Sequence, residues 1–144
     1  MRIIGIDFGE RRIGVAAADD RMRIAVPLTT IDAAGDPVEA IVRIATQERA
    51  DELVIGLPLS LTGAEGPQAQ RVREAVAALE ARLTIPIRLQ DERLTTRQAT
   101  LSAPPRKKKS VSRAKAGAPT RDAAAAAILL QAYIDSQSAR GGYE

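Results

Sequence analysis

The chain has 144 residues and a formal net charge of +3, and its sequence contains neither cysteine nor histidine. These absences exclude disulfide frameworks, thiolate chemistry, imidazole bases and histidine metal ligands, so any acid–base or metal chemistry must use carboxylates, lysines or water. Aromatic residues make up 2% of the chain, so aliphatic side chains must supply the core. The length predicts a single domain over residues 1–144.

All of the apolar segments are short. The N-terminus lacks a charged segment followed by a long apolar run, which argues against a signal peptide. No apolar stretch approaches the roughly 20 residues that a transmembrane helix needs. We therefore expect a cytoplasmic protein with no membrane contact.

Three strands are predicted at the start of the chain, where apolar, β-branched runs alternate with short polar links. They are Arg2–Phe8, Arg12–Ala18 and Arg23–Ile31. The short links predict an antiparallel meander, and Pro27 indicates that the third strand is an edge strand or contains a bulge.

Helices and strands alternate in the rest of the chain. Asp36, Pro37 and Glu39 are typical of a helix start, and Pro58 ends the next strand. The predicted elements are a helix from Asp36, a strand over Leu53–Leu57, a helix from near Pro67, a strand over Ile85–Gln90, a short helix over about Leu94–Leu101, a mobile basic loop over about 103–119, a helix over Arg121–Gln137 and a tail over about 138–144. Because crossover helices precede the last two strands, these should run parallel to the first strand and be covered on both faces of a mixed five-stranded α/β sheet.

Acidic residues follow three of the predicted elements. Asp7 ends the first strand, Asp91 and Glu92 follow the fifth, and Asp122 lies in the first turn of the last helix. Taken singly, each has an ordinary alternative: a turn residue, a solvated charge cluster or a helix-start residue. Elsewhere in the chain, acids such as Glu52 are interpreted as ordinary turn residues. Because open sheets carry their sites at the C-terminal ends of parallel strands, the acids are expected to converge there and to suit divalent cations.

Two glycines flank the turn after the first strand. Gly9 and Gly14 have the spacing of a phosphate-binding loop, but the Lys-Ser/Thr pair of that motif is missing. We therefore expect them to allow a tight hairpin and close backbone approach beside Asp7.

Positive charge is concentrated in a basic segment between the second and third acidic positions. Its cations are Arg106, Lys107, Lys108, Lys109, Arg113 and Lys115, and without them the rest of the chain would be net acidic. The basic segment is either a solubilising loop or, as we favour, a polyanion-binding surface that borders the acidic site.

Four motifs occur in order across nearly the whole chain. They are Gly5-Ile6-Asp7-Phe8-Gly9 with Arg12-Ile13-Gly14-Val15-Ala16, Ile55-Gly56-Leu57-Pro58-Leu59, Asp91-Glu92-Arg93-Leu94-Thr95-Thr96, and Asp122-Ala123-Ala124-Ala125-Ala126. These motifs resemble those of the YqgF family, whose members are described as Holliday-junction resolvases and as nucleases that mature the 5′ end of pre-16S rRNA. Two features depart from the family pattern: Arg121 replaces an expected small β-branched residue, and the basic loop is longer than usual.

The resemblance implies an RNase H-like fold with strand order 3-2-1-4-5 and divalent-metal-dependent phosphodiester cleavage. By their positions in the motifs, Asp7, Glu92 and Asp122 are the expected catalytic acids and ligands of one or two Mg²⁺ or Mn²⁺ ions. Asp91 is an accessory candidate. Arg12 and Arg93 resemble motif arginines that either contact phosphate or pair with the acids. The basic segment supplies further nucleic-acid contacts. The structural positions are Gly5, Gly9, Gly14, Gly56 and Pro58.

These assignments predict a metal-dependent endonuclease that acts on structured RNA or branched DNA, in pre-16S rRNA maturation or junction resolution. One alternative is an ATP-binding domain of the actin–Hsp70–hexokinase type, although such proteins need two domains around the nucleotide. Another is a non-catalytic nucleic-acid-binding or ribosome-associated module, for which the basic segment alone would suffice. Since aromatic residues are scarce, we expect recognition of backbone and shape. No dimer interface is identifiable, so we expect a monomer or a weak homodimer.

Overall fold

The computed structural model describes residues 1–19, 21–60, 62–92 and 121–141, with side chains of the last helix described through Gln137. Five strands and three helices lie within these residues. The strands are β1 (Arg2–Phe8), β2 (Arg12–Asp19), β3 (Ile24–Asp32), β4 (Glu52–Leu57) and β5 (Ile87–Asp91), and the helices are α1 (Pro37–Gln47), α2 (Pro67–Arg82) and α3 (Arg121–Gly141). The predicted short helix over 94–101, Arg93 and the basic segment lie outside the described residues.

The strands form one mixed sheet in the order β3-β2-β1-β4-β5. β1, β2 and β3 pair antiparallel, whereas β4 is parallel to β1 and β5 is parallel to β4. Pro27 lies on the edge strand β3, next to a register shift opposite Val15 and Ala16. The predicted topology, including the position of this proline, is confirmed.

Helices α1 and α2 pack on one face of the sheet over an aliphatic core. The side chain of Asp36 accepts a hydrogen bond from the amide of Glu39 at 3.1 Å, which caps α1 as its sequence predicts. The largest fully buried side chains of this core are Ile4, Ile6, Ile13, Val15, Leu53 and Ile55 from the sheet and Ile41, Val72 and Leu79 from the helices.

Helix α3 packs on the other face, mainly over β1, β2 and β3. Small residues dominate the contact between the helix and the sheet. A Cβ at Gly5 would lie 2.9 Å from the Cβ of Leu130, so the helix approaches β1 more closely than a side chain would permit. One apolar cluster on this face contains Ile3, Ala16, Ala18 and Val54 from the sheet and Ala126, Leu130, Tyr133 and Ile134 from α3.

The predictions for β4, β5 and α3 differ in part from the structure. β5 is an edge strand that the described residues cover only in part: Ile87 packs against the α1/α2 core, whereas Arg88 is exposed and Leu89 is 37% exposed. β5 also begins at Ile87, after Pro86, which has no amide hydrogen for a strand ladder. Glu52 is not a turn residue, because it begins β4 and is buried.

The end of the last helix also differs from its prediction. α3 continues to Gly141, one turn beyond the predicted end at Gln137. Within the described parts of the chain, no helix has the length and apolar character needed to cross a membrane.

Candidate active site

Two of the strands and one helix bring acidic residues to one edge of the sheet. β1, β4 and β5 are parallel, so Asp7 near the end of β1 and Glu92 just after β5 lie at the same edge. Asp122 arrives at this edge because the first turn of α3 packs against Gly14, which pairs with Asp7 in the β1–β2 ladder. The structure therefore brings the three predicted acids together, and Asp91 ends β5 beside them.

Asp7 and Glu92 form a carboxyl pair joined by a side-chain hydrogen bond. Burial raises the pKa of Asp7, the hydrogen bond with Glu92 opposes that change, and the negative charge of Asp122 adds to it. Burial also raises the pKa of Glu92 to about 8, with further contributions from the hydrogen bond to Asp7 and from the charges of Asp7 and Asp91. Near neutral pH the raised pKa of Glu92 therefore favours one proton on this carboxyl pair.

Gly56 provides the space that the side chain of Glu92 occupies. A Cβ at position 56 would lie 2.6 Å from Oε2 and 2.9 Å from Cγ of Glu92. Oε2 itself is buried. The predicted structural role of this motif glycine is thus a specific one, since any larger residue would displace the acid.

Gly14 and Gly9 permit close approach around the β1–β2 turn, as predicted. A Cβ at position 14 would overlap the carbonyl oxygen of Asp122 and lie 3.0 Å from the amide nitrogen of Ala123. A Cβ at position 9 would lie 2.5 Å from the carbonyl oxygen of Arg12, which accepts a hydrogen bond from the amide of Gly9. Neither glycine has a positive φ, so space rather than backbone conformation requires glycine here.

Arg12 lies beside Asp122 at the start of β2. Its Nη1 is 3.8 Å from Oδ2 of Asp122, and the two side chains are 61% and 38% exposed. A long, exposed ion pair of this kind contributes under about 1 kcal/mol. One of the two predicted roles of Arg12, pairing with an acid, is therefore observed, while the roles of Arg93 and the basic segment stay predictions.

Gln68 is a residue at this edge that the sequence did not reveal. It lies in the first turn of α2, and its Nε2 donates a hydrogen bond to the carbonyl oxygen of Phe8 at 3.1 Å. This contact ties α2 to the backbone that follows Asp7. In the sequence, Gln68 follows Pro67 in the first turn of a predicted helix. The apolar pattern of that helix gives no reason to select this amide side chain as part of the site.

The acidic edge fits a divalent cation by the chemistry of its donors. Within the described ranges, no three acidic side chains are already close enough to hold one metal ion. Asp7 and Glu92, however, are held together by a proton, and a divalent cation can replace that proton while offsetting the charge of Asp122. Carboxylate oxygens are the ligands that Mg²⁺ and Mn²⁺ prefer.

Comparison with known proteins gives the family. A family model described as "RuvX: Holliday junction resolvase" matches residues 1–136. The chain belongs to this family. It is 42% identical over 143 residues to a protein of Chloroflexus aggregans named "Putative pre-16S rRNA nuclease", with 94% of each chain covered. It is 39% identical over 145 residues to a protein of the same name from Protochlamydia amoebophila, again with 94% of each chain covered. The YqgF resemblance is thus confirmed.

Solved structures give the same fold. T. thermophilus RuvC in complex with a Holliday junction substrate aligns with a TM-score of 0.61 at 14% identity, covering 96% of each chain. The fowlpox virus resolvase in complex with Holliday junction DNA aligns with a TM-score of 0.58 at 10% identity, covering 95% of this chain and 99% of the other. The predicted RNase H-like fold is confirmed. The family to which the chain belongs is one of hydrolases that act on nucleic acid.

Proposed function

We propose that this chain is a divalent-metal-dependent endonuclease that hydrolyses phosphodiester bonds of structured nucleic acid. One observation carries the proposal: the hydrogen-bonded Asp7–Glu92 pair at the sheet edge, with the pKa of Glu92 raised to about 8 and Asp122 nearby. Carboxyl groups so strongly perturbed by burial and like charge are typical of functional sites. Membership of a nuclease family supports the same reading.

Asp7, Glu92 and Asp122 would hold one or two Mg²⁺ or Mn²⁺ ions, with Asp91 as an accessory. A bound cation of this type acidifies water and offsets the negative charge that develops on the phosphate and the leaving oxygen. The chain itself would release the proton of Glu92, place the Glu92 side chain against Gly56 and hold Asp122 at the sheet edge. Since the sequence has no histidine, no imidazole base takes part.

Arginines and lysines would hold the nucleic-acid backbone. The exposed Arg12 is adjacent to the acidic edge, and its long ion pair with Asp122 leaves other guanidinium N–H groups for a phosphate. Arg93 and the basic segment are proposed as further phosphate contacts, which position a substrate without reading its sequence.

We favour pre-16S rRNA as the substrate. The relatives that are 42% and 39% identical carry that name, whereas the aligned junction-bound structures are 14% and 10% identical. Junction resolution is the second candidate because the family description names it. Two symmetric cuts would need two copies of the chain, while RNA maturation suits a monomer or weak homodimer in the cytoplasm.

Parallel cleavage assays test this proposal. Wild type, Asp7→Asn and Asp51→Asn are compared on a pre-rRNA fragment and a synthetic four-way junction in Mn²⁺. Asp51 is a matched control, because it lies just before β4, at the opposite end of the sheet, where its Oδ2 accepts a hydrogen bond from the amide of Arg2. We expect Asp7→Asn to lose at least about 10³-fold in cleavage rate, as removal of one group of a catalytic set commonly does, while Asp51→Asn cleaves normally.

The outcomes separate the candidates. Undiminished cleavage by Asp7→Asn would contradict the proposed site. Nucleic-acid binding that persists in chelator, with no product from either substrate, would favour a non-catalytic or ribosome-associated module. Tight ATP binding by the monomer would favour the actin–Hsp70–hexokinase alternative.

A further inference from the structure

We infer that two polar contacts on opposite sides of α3 fix the rotation of this helix on the sheet and thereby position Asp122 beside Asp7. The first contact joins Tyr133 to Glu52, and the second joins Gln131 to the edge of β3. The consequence of this positioning for metal binding rests on the function proposed above. Because none of these side chains touches the acidic edge, they are positioning residues.

The Tyr133–Glu52 contact joins α3 to β4 through a buried charge. Glu52 is 5% exposed and is the one buried charged residue in the described part of the chain. Its Oε2 accepts a hydrogen bond from the hydroxyl of Tyr133 at 2.6 Å and another from Nε of Arg88 at 3.0 Å. A short bond to an ionised acceptor is strong and directional, so it holds Tyr133 in one place.

The Gln131 contact joins α3 to the opposite side of the sheet. Its Oε1 accepts a hydrogen bond from the amide of Ala25 at 2.9 Å, and its Nε2 donates to the carbonyl oxygen of Arg23 at 3.1 Å. The side-chain amide thus pairs with the backbone at the start of β3 as a neighbouring strand would. Only a side chain with both a donor and an acceptor can make this contact.

Helix geometry relates both contacts to Asp122. With 3.6 residues per turn, Tyr133 lies about 20° around the axis from Asp122 and about 16 Å along it, whereas Gln131 lies about 180° around. The two contacts therefore hold opposite flanks of α3, and Tyr133 holds the flank that carries Asp122. A rotation of about 20° would move the Asp122 carboxylate by roughly 2 Å.

The helix needs such contacts because small residues form its packing surface where it begins, next to the acidic edge. Ala123 and Ala126 are fully buried where α3 begins, and they lie over a sheet that offers Gly14 and Gly5. Small residues set how closely a helix approaches, but they form shallow ridges and grooves that define its rotation poorly. Polar contacts with fixed geometry supply the missing specificity.

Paired variants of the full chain separate positioning from stability. Tyr133→Phe and Gln131→Ala each remove one contact, and Glu52→Gln keeps an acceptor for Tyr133. The double variant Tyr133→Phe/Glu52→Leu replaces the buried polar contact by an apolar one. Val72→Ala is the control, because it removes fully buried methyl groups on the α1/α2 face of the sheet and lowers thermal stability without touching α3.

The first measurement reports the position of α3 and does not depend on nuclease activity. Gly14 lies against Ala123, so the NMR cross-relaxation between the Gly14 α protons and the Ala123 amide should be strong in wild type. We expect it to weaken in Tyr133→Phe, Gln131→Ala and the double variant, and to persist in Glu52→Gln and Val72→Ala. The second readout is Mn²⁺ binding by electron paramagnetic resonance, with dissociation constants about tenfold higher in the first three variants.

Unchanged cross-relaxation in both Tyr133→Phe and Gln131→Ala would overturn the inference. So would weaker Mn²⁺ binding in Val72→Ala by the same factor, because it would show a general effect of lost stability. Asp122→Asn keeps the two proposals distinguishable: if it binds Mn²⁺ as wild type does, the proposed metal role of Asp122 fails, while the cross-relaxation still decides whether the contacts position α3.

Discussion

The two faces of the sheet are packed by different means. On the α1/α2 face, branched side chains such as Ile4, Ile55 and Leu79 interlock in a continuous aliphatic core. On the α3 face, glycines and alanines bring the backbones close, and polar contacts set the helix's orientation. We therefore expect stability to depend more on the α1/α2 face, and the positions of the acids to depend more on the α3 face.

The acidic edge depends on the glycine-rich face. Glu92 and Asp122 both come from parts of the chain remote from Asp7, and each lies against a glycine. Glu92 occupies the space above Gly56, and the backbone of Asp122 lies on Gly14. Changes on this face should therefore alter the site more than the stability, and changes on the other face should do the reverse.

The largest effect is expected from Gly14→Ala. Its new Cβ would overlap the carbonyl oxygen of Asp122, so the start of α3 must move away from β2. Because a displacement of about 1 Å at a catalytic group can lower a rate about 100-fold, we expect a loss of that size in nuclease assays. Gly66→Ala is the control, since a Cβ there meets no atom within 4 Å. Full activity of Gly14→Ala would contradict the expectation that changes on the α3 face alter the acidic site.

A change on the opposite face should affect stability instead. Leu79 is fully buried in the α1/α2 core, and Leu79→Ala should lower the free energy of unfolding by about 2 to 5 kcal/mol. The cleavage rate per folded molecule should stay within about twofold of wild type, well short of the effect of a displaced catalytic group. Chemical denaturation and an assay well below the melting temperature measure the two quantities. Loss of activity without loss of stability would contradict the division between the faces.

The smallest effect concerns pH. The pKa of Glu92 is raised from 4.5 to about 8 in the folded chain, so its contribution to stability is present below pH 4.5 and is lost as pH rises through about 8. Glu92→Gln cannot ionise and should therefore become more stable than wild type as pH increases. We expect a gain of about 1 to 2 kcal/mol at pH 9 in chelator, after allowance for solvent screening of a half-buried group. A difference that does not change between pH 5 and pH 9 would argue against the raised pKa.

Much of the fold could be predicted because it depends on local pattern. Apolar runs with short links predict the three-stranded antiparallel meander, and Asp36 before Pro37 predicts the start of α1. The exposure of Leu89 could not be predicted, because an alternating apolar residue looks the same on an edge strand and on a covered one. Only the extent of the helical layers distinguishes these two positions.

The site was predicted in part for the same reason. Asp7 and Gly14 belong to one local motif, so their proximity followed from the hairpin. The contact between Glu92 and Gly56 joins residues that are far apart in the sequence, so no periodic pattern of residues predicts it. Glu52 was misinterpreted because an acid before a short apolar run resembles a turn residue, and only Tyr133 and Arg88 explain its burial.

Asp7, Glu92 and Asp122 are proposed to form one cation site, in which the cation replaces the proton of the Asp7–Glu92 pair. Calorimetric titration with Mn²⁺ at pH 7, in two buffers of different ionisation enthalpy, tests it most directly. Since Glu92 holds a proton at this pH, wild type should release about one proton for each site filled, and Glu92→Gln should bind weakly and release none. Mn²⁺ binding without proton release, and with equal affinity in Glu92→Gln, would contradict the account.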